Sequence, residues 1–398
     1  MTDKSVITYK QLIYSQISAY GTLSKADILS MNKLTSSTLT RLLEDLVSEG
    51  LVLEDGLGPS NGGRKPILYR INRDYRYIFG LDISRFSSTL GLFDLELNAK
   101  SLARWRMDEG MKPEVYVRHA AALMKNIMKD HSIKPERILG LGIGAVGPLD
   151  RRTGIIEEPL YFAADGWNQV RIVEMFEQAT GFRASLENGA NAALKGEAWS
   201  ARNEPIEHAL YVHAGVSLRS AMMTNGRIVY GKYDTEGSIG QMIIHTDGPR
   251  LHASGNYGAL EAYCSVQAIV NQARAHVKMG NHSLAIRYSV SPDRIDLDLL
   301  LQALSDQDPY VQELFQTSAA YFGIGLANLI NLYHPEVVFL GGVLITSVPN
   351  FYSTATDVAI KNIFHSPRYA PRFSRGILAE DAAVTGAAIG VRDHWVIS

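Results

Sequence analysis

Apolar side chains recur along this chain at two periods, and the switches between them mark its elements. Leu12, Ile13, Ile17 and Ala19 follow a helical spacing that Gly21 ends. Ser24 is placed to cap a short second helix with Ala26, Ile28 and Leu29, and Asn32-Lys33-Leu34 makes a turn. Leu39, Leu42, Leu43, Leu46 and Val47 stand at i, i+3, i+4, i+7 and i+8. That is the stripe of a third helix, capped by Thr35 or Ser36 and ended by Gly50. Stretches 51–53 and 67–71 read as strands around a Gly/Ser/Pro-rich loop, 56–66. Strands are then expected at 77–83, 90–94 and within 98–106, an amphipathic helix at 113–131 with Val115, Val117 and Met124 on its apolar side, and a buried strand at 138–144. Another strand, 209–214, precedes a hairpin over 222–228 that turns at Asn225-Gly226. Helices at 299–304 and 311–332, a strand at 335–343 and a small-residue helix at 382–391 complete the pattern, an α/β chain.

Composition narrows the classes. The chain has 398 residues, 46% of them hydrophobic, enough for two or three domains. A net charge of −2 gives no global nucleic-acid signature, so any DNA contact must be local. The single Cys264 excludes an intramolecular disulfide and a cysteine-cluster zinc site. Met1 to Ser5 shows no basic run followed by an apolar one, and no stretch approaches the ~18 apolar residues of a membrane span. A cytoplasmic protein without membrane contact is expected.

The first seventy residues have the parts of a winged helix-turn-helix. The third helix would enter the DNA major groove with Ser36, Ser37, Thr38, Thr40 and Arg41 at its early outward positions. The loop Gly62-Gly63-Arg64-Lys65-Pro66 would be the wing, with Arg64 and Lys65 reaching phosphate or the minor groove. An ordinary three-helix bundle fits the same pattern. Residues 1–75 hold nine Lys/Arg against eight Asp/Glu, which supports that plainer reading.

The most informative stretch is 186–197, Leu-Glu-Asn-Gly-Ala-Asn-Ala-Ala-Leu-Lys-Gly-Glu, a strand end turning into a helix. Its small residues let a ligand approach the backbone, and Asn188 and Asn191 supply amides. The stretch resembles the Glu-Asn-Asp-Ala-Asn signature of ROK proteins, a family of bacterial sugar kinases and sugar-responsive repressors. Family repressors place a winged helix ending in Gly-Gly-Arg-basic-Pro before a kinase-like part, and this chain matches that order. Val146-Gly147-Pro148-Leu149-Asp150 matches the sugar-side Gly-Pro-x-Asp loop, Gly166-Trp167-Asn168 the Trp that opens a helix beside the sugar, and Leu340-Gly341-Gly342 the adenosine-side motif. For Trp167, simple packing is an equally good reading.

The resemblance implies an actin-like ATPase (ribonuclease H-like) sugar-kinase fold behind the winged helix. The implied domains are 1–75 for DNA binding, 76–188 with 380–398 returning to it as the first lobe, and 189–379 as the second. Where kinases need chemistry, this sequence departs. Gly189 stands where the family's Asp takes the sugar proton, so no catalytic residue and no cofactor are expected. Asp82-Ile83-Ser84-Arg85-Phe86 replaces a glycine-rich phosphate turn, and Gly215 to Ala221 keeps one glycine of the second. The four zinc-ligand positions hold Gln241, His252, Ser254 and Ala259, so no metal is expected. Of the five family sugar contacts, now Asn188, Gly189, Ser238, Gln241 and Glu261, two are kept. The ligand-binding set is therefore Gly147, Trp167, Asn168, Asn188, Ser238, Gln241 and Glu261. The function implied is a repressor of carbohydrate-use genes. It would bind double-stranded operator DNA as a homodimer or tetramer, gated by a sugar-like effector in the interdomain cleft. The rivals are an active sugar kinase and a DNA-binding factor with a vestigial cleft.

Overall fold

The computed structural model of the protein describes residues 8–59, 65–202, 204, 206–232, 238–281 and 283–397. The chain divides into two compact units, Met1–Pro205 with Ala383–Ser398, and Ile206–Ala382.

The first unit opens with α1 (Tyr9–Tyr20), β1 (Leu23–Ser24), α2 (Lys25–Ser30), α3 (Ser36–Ser48), β2 (Val52–Leu57) and β3 (Ile67–Ile71). Local chemistry sets these bounds. Thr8 and Gln11 form a capping box on α1, Ser24 and Asp27 one on α2, and Thr35 caps α3. Gly21 ends α1 at φ 80°, a conformation that suits glycine. The strands form an antiparallel sheet in the order β1-β3-β2. The two-residue β1, which the pattern of side chains does not reveal, pairs Leu23 and Ser24 with Tyr69 and Leu68.

The unit continues with β4 (Tyr77–Ile83), β5 (Ser87–Asp94), β6 (Ala99–Arg106), α4 (Pro113–Asp130), β7 (Ile138–Ala145), a short hairpin of β8 (Leu149–Asp150) and β9 (Ile155–Ile156), α5 (Ile172–Thr180), β10 (Ala184–Asn188) and α6 (Gly189–Ser200). Its sheet runs β10-β7-β4-β5-β6. Asp82, the first residue of the stretch aligned with the phosphate turn, lies within β4 opposite Thr89. Val115, expected on the apolar side of α4, is exposed, and Tyr116 is buried instead.

Alternation along the central strands feeds two cores. Phe79, Leu81 and Ile83 join α4 and α5 in one cluster with Tyr116 and Phe176. On the other face, Ile78, Phe93 and Leu95 share a second cluster with Ile13, Tyr14 and Ile17 of α1 and with Val384, Ala388 and Val391 of the terminal helix, Ala382–Trp395. The terminal helix lies directly on backbone. A Cβ at Gly80 would meet Val384 O at 2.2 Å, one at Gly142 would meet Ala387 O at 2.0 Å, and one at Gly386 would meet Ala192 O at 1.7 Å. The winged helix is thus packed into the first lobe across the boundary expected at residue 75. The helix α6, expected in the second lobe, belongs to the first unit because it packs on β7, β10 and the terminal helix.

The second unit holds β11 (Ala209–Ala214), β12 (Leu218–Thr224), β13 (Arg227–Ile228), α7 (Glu261–Cys264), α8 (Val266–Lys278), α9 (Ser283–Tyr288), α10 (Leu297–Ser305), α11 (Pro309–Tyr333), β14 (Val337–Gly341), α12 (Val343–Ser347), α13 (Phe351–Lys361) and β15 (Arg372–Ser374). Its sheet runs β13-β12-β11-β14-β15. Asn225 and Gly226 turn the hairpin at φ 49° and 68°. Leu218 and Arg219, expected in a loop, begin β12 opposite Ala214 and His213. In both units three antiparallel strands are followed by two parallel ones in the same spatial order, the ribonuclease H-like arrangement. Among the described helices none is long and apolar enough to cross a membrane.

The shared core makes a prediction. Ile17→Ala removes a fully buried side chain from it and should cost about 2–4 kcal/mol. All four tryptophans, Trp105, Trp167, Trp199 and Trp395, belong to the first unit, so their fluorescence reports its urea unfolding. One transition at a lowered midpoint is expected. A separate early step for the winged helix would show that the core is divided.

Candidate functional site

Most of the residues expected to face DNA sit at the start of α3. Ser36, Ser37 and Arg41 are exposed, as is Lys65 beyond the sheet, while Arg64 lies outside the described residues. Thr38 and Thr40 are half-buried and already engaged. Thr38 donates its N–H to Thr35 Oγ1, and the two hydroxyls lie 2.8 Å apart. Thr40 Oγ1 donates to Ser36 O and accepts from Lys25 Nζ. Lys25 is thereby brought from α2 to the face of α3, a placement the sequence pattern does not reveal. No acid falls between residues 28 and 43, while Lys33 and Arg41 are exposed there. Farther off, Glu49 pairs with Lys10 and Asp55 with Arg70. A near-neutral module thus presents a locally cationic helix start, where the helix dipole also favours phosphate.

The seven expected ligand residues fall in both units. Gly147, Trp167, Asn168 and Asn188 belong to the first; Ser238, Gln241 and Glu261 belong to the second. In the first unit, the strand β10 ends in Glu187-Asn188 and α6 starts at once. Asn188, 2% exposed, caps the helix by accepting the Ala190 N–H at 2.9 Å. Gly189 is the first helical residue and is buried. Glu187 is held by Lys195 Nζ at 2.5 Å and by Asn191 Nδ2 at 3.3 Å, with Arg151 Nε at 4.0 Å. Asn191 is fully buried, and its Oδ1 has no hydrogen-bond partner. Lys195 escapes a motif-based reading; its signal is an acid ending a strand and a lysine two turns into the next helix.

Gly147 opens a loop whose Asp150 accepts the Arg152 and Thr153 N–H groups. The hydrogen bond from the Thr153 side chain holds the Asp150 carboxyl below its ordinary range. Trp167 is buried, stacks on Phe162 at 4.8 Å, and donates its indole N–H to Met111 O at 3.0 Å. Its ring edge meets Tyr116, whose hydroxyl burial pushes well up. Trp167 therefore serves the core and positions its exposed neighbour Asn168. Arg85, in the former phosphate turn, is buried, and its Nε donates to Leu160 O at 2.6 Å. The side chain thus anchors the loop that leads to Trp167. Phe86 is 50% exposed.

In the second unit, Gln241 organises the stretch that aligns with the zinc motif. Its Oε1 accepts the Asn256 N–H at 2.8 Å, its carbonyl accepts Asn256 Nδ2 at 2.9 Å, and its Nε2 donates to Glu261 Oε2 at 3.0 Å. His252 Nδ1 lies 3.1 Å from Ser254 Oγ, and Ala259 is buried. Gly258 takes φ +66°, where a Cβ would strike His245 O at 1.5 Å. Ser238 begins a short 3-10 turn and is exposed, and Glu261 is buried at the start of α7. Among the described residues Glu207, His208 and Glu336 bring three ligand-type groups together, two of them exposed, away from the motifs above.

Comparison with known proteins places these features. The ROK family model matches residues 78–394. The chain is 26% identical over 377 residues to a putative xylose repressor of Caldicellulosiruptor sp., covering 95% of this chain and 93% of that one. A solved ROK family transcriptional regulator, a homologue of the E. coli MLC protein, superposes with a TM-score of 0.76 at 20% identity over 97% of this chain and 96% of that one. A ROK family glucokinase from Streptomyces griseus, solved with glucose and AMPPNP, gives a TM-score of 0.66 at 22% identity over 79% of this chain and 99% of that one.

The hydrogen bonds of Gln241 set a testable expectation. Gln241→Ala leaves Asn256 and Glu261 without that partner, a loss of about 1–3 kcal/mol. Tyr257 lies in the freed loop and is exposed, so chymotrypsin should cut after it faster than in the unaltered protein. An unchanged rate would show that other contacts hold the loop.

Proposed function

The chain belongs to the ROK family, and on that premise we propose that it is a DNA-binding transcription regulator, a repressor of carbohydrate-use genes whose DNA affinity a sugar-like effector controls. The observation that carries this reading is the winged helix packed into the same core as the lobe bearing the candidate effector residues. The match to the xylose repressor runs through that module, and the match to the glucokinase covers 79% of the chain.

In this reading α3 lies in the major groove with Ser36, Ser37 and Arg41 at base edges. Lys65 and Arg64 contact the backbone from the wing. A homodimer places two such helices on half-sites one or more DNA turns (~34 Å each) apart. The amides at the start of α6, Asn188 and Asn191, are the candidate partners of the effector's hydroxyls in the first unit. With Gly189 in the base position and Arg85 occupied by the protein's own loop, sugar phosphorylation lacks a proton acceptor and an open phosphate turn.

The reading is tested with duplexes selected from a random pool, followed by titration with D-xylose, N-acetyl-D-glucosamine and D-glucose. Selection of one sequence and release by one sugar class are expected. Arg41→Ala should weaken binding about tenfold or more, and Lys65→Ala should lower the salt slope by about one. Sugar-dependent ADP release above background would overturn the non-enzymatic assignment, and failure to select any duplex would overturn the DNA-binding one.

A further inference from the structure

Helix α6 begins in the candidate effector site and ends against the core that the DNA-binding module shares with the terminal helix. Its cap is Asn188. One turn on, Ala192 touches the terminal helix so closely that only a glycine fits opposite, at Gly386. In its last turn, Trp199 packs against the cluster that α1 shares with the terminal helix. The guanidinium of Arg392 lies 4.1 Å from the centre of the Trp199 ring. Arg392 is 4% exposed and pairs with Asp393 at 2.9 Å.

The far side of this joint is α1. Tyr14 is buried in the same cluster, and Arg392 is among the charges it senses most strongly. Gln11 Nε2 donates to Ile397 O at 2.9 Å, tying α1 to the chain just beyond the terminal helix. Tyr14 Oη and Arg392 Nη1 are both buried without a hydrogen-bond partner. Packing and charge hold the joint there, with no hydrogen bond from those two atoms to lock one register. Contacts thus run from the first turn of α6 to the terminal helix at Ala192–Gly386, from the last turn of α6 to Arg392, and from the end of the chain to α1.

We propose that Trp199 and Arg392 are positioning residues that carry the state of the Asn188 site to helix α1, and so to the DNA-reading helix packed beside it. The proposal rests on the regulator reading above. Its test uses neither DNA nor sugar, so the two can fail separately. Coupling of this kind is established by a double-mutant cycle, not by proximity.

The measurement is hydrogen exchange by mass spectrometry on the full chain, following peptides from α6 and α1. Asn188→Ala removes the cap and should speed exchange in the first turn of α6 by about fivefold. If α6 transmits, exchange in α1 rises with it, by about threefold. In an Arg392→Met background, which keeps the aliphatic stem, the α6 increase should persist while the further α1 increase falls to within about 1.3-fold. Trp199→Leu should act in the same way, and it serves if Arg392→Met does not fold. An α1 response that is absent, or equal in all backgrounds, overturns the proposal. So does an α6 helix indifferent to Asn188→Ala, because the cap then does not govern it.

Discussion

The structure depends on a helix lying against bare backbone. Three glycines, Gly80, Gly142 and Gly386, let the terminal helix approach β4, β7 and α6 to distances no side chain permits. From that approach the rest of the first unit follows. The terminal helix can then offer its other faces to α1, and the winged helix becomes a layer of the lobe. A methyl group at any of the three positions would force the helix away. It would then disturb the sheet, α6 and the module together, since interiors are close-packed and transmit strain.

Much of this was legible in the sequence, for physical reasons. Helix caps and apolar stripes are local, so α1 to α3 follow from Thr8, Ser24, Thr35 and the Leu39–Leu46 stripe. Gly-rich turns and buried strands placed both sheets. What escaped depends on contacts distant in sequence. β1 exists because β3 returns to it after more than forty residues. The placement of α6 in the first unit is decided by Gly386, nearly two hundred residues away. The matching strand order of the two sheets has no counterpart in any visible sequence repeat. The site divides in the same way. Motifs single out Asn188, Gln241 and Glu261 as candidates and leave Trp167 open between ligand and core, which its burial decides for the core. They do not show that Lys195 holds Glu187 or that Arg85 holds Leu160.

Two of the altered motif positions, Arg85 and Gln241, have a common character. A group that would act on a ligand is replaced by one that acts on the protein. Arg85 bonds a loop carbonyl where a phosphate turn would be open, and Gln241 bonds Asn256 and Glu261 in the stretch that aligns with a zinc loop. Each replacement directs its hydrogen bonds to neighbouring protein groups, which favours a defined local geometry.

The shared core also bears on synthesis. The winged helix, residues 9–71, leaves the ribosome about 300 residues before Val384 to Ile397, which complete its packing. Nascent chains can form its helices early, yet they carry Ile13, Tyr14 and Ile17 with part of their cover missing. A prematurely terminated product therefore holds a DNA-reading helix on an unfinished base, with apolar surface open to proteases and chaperones.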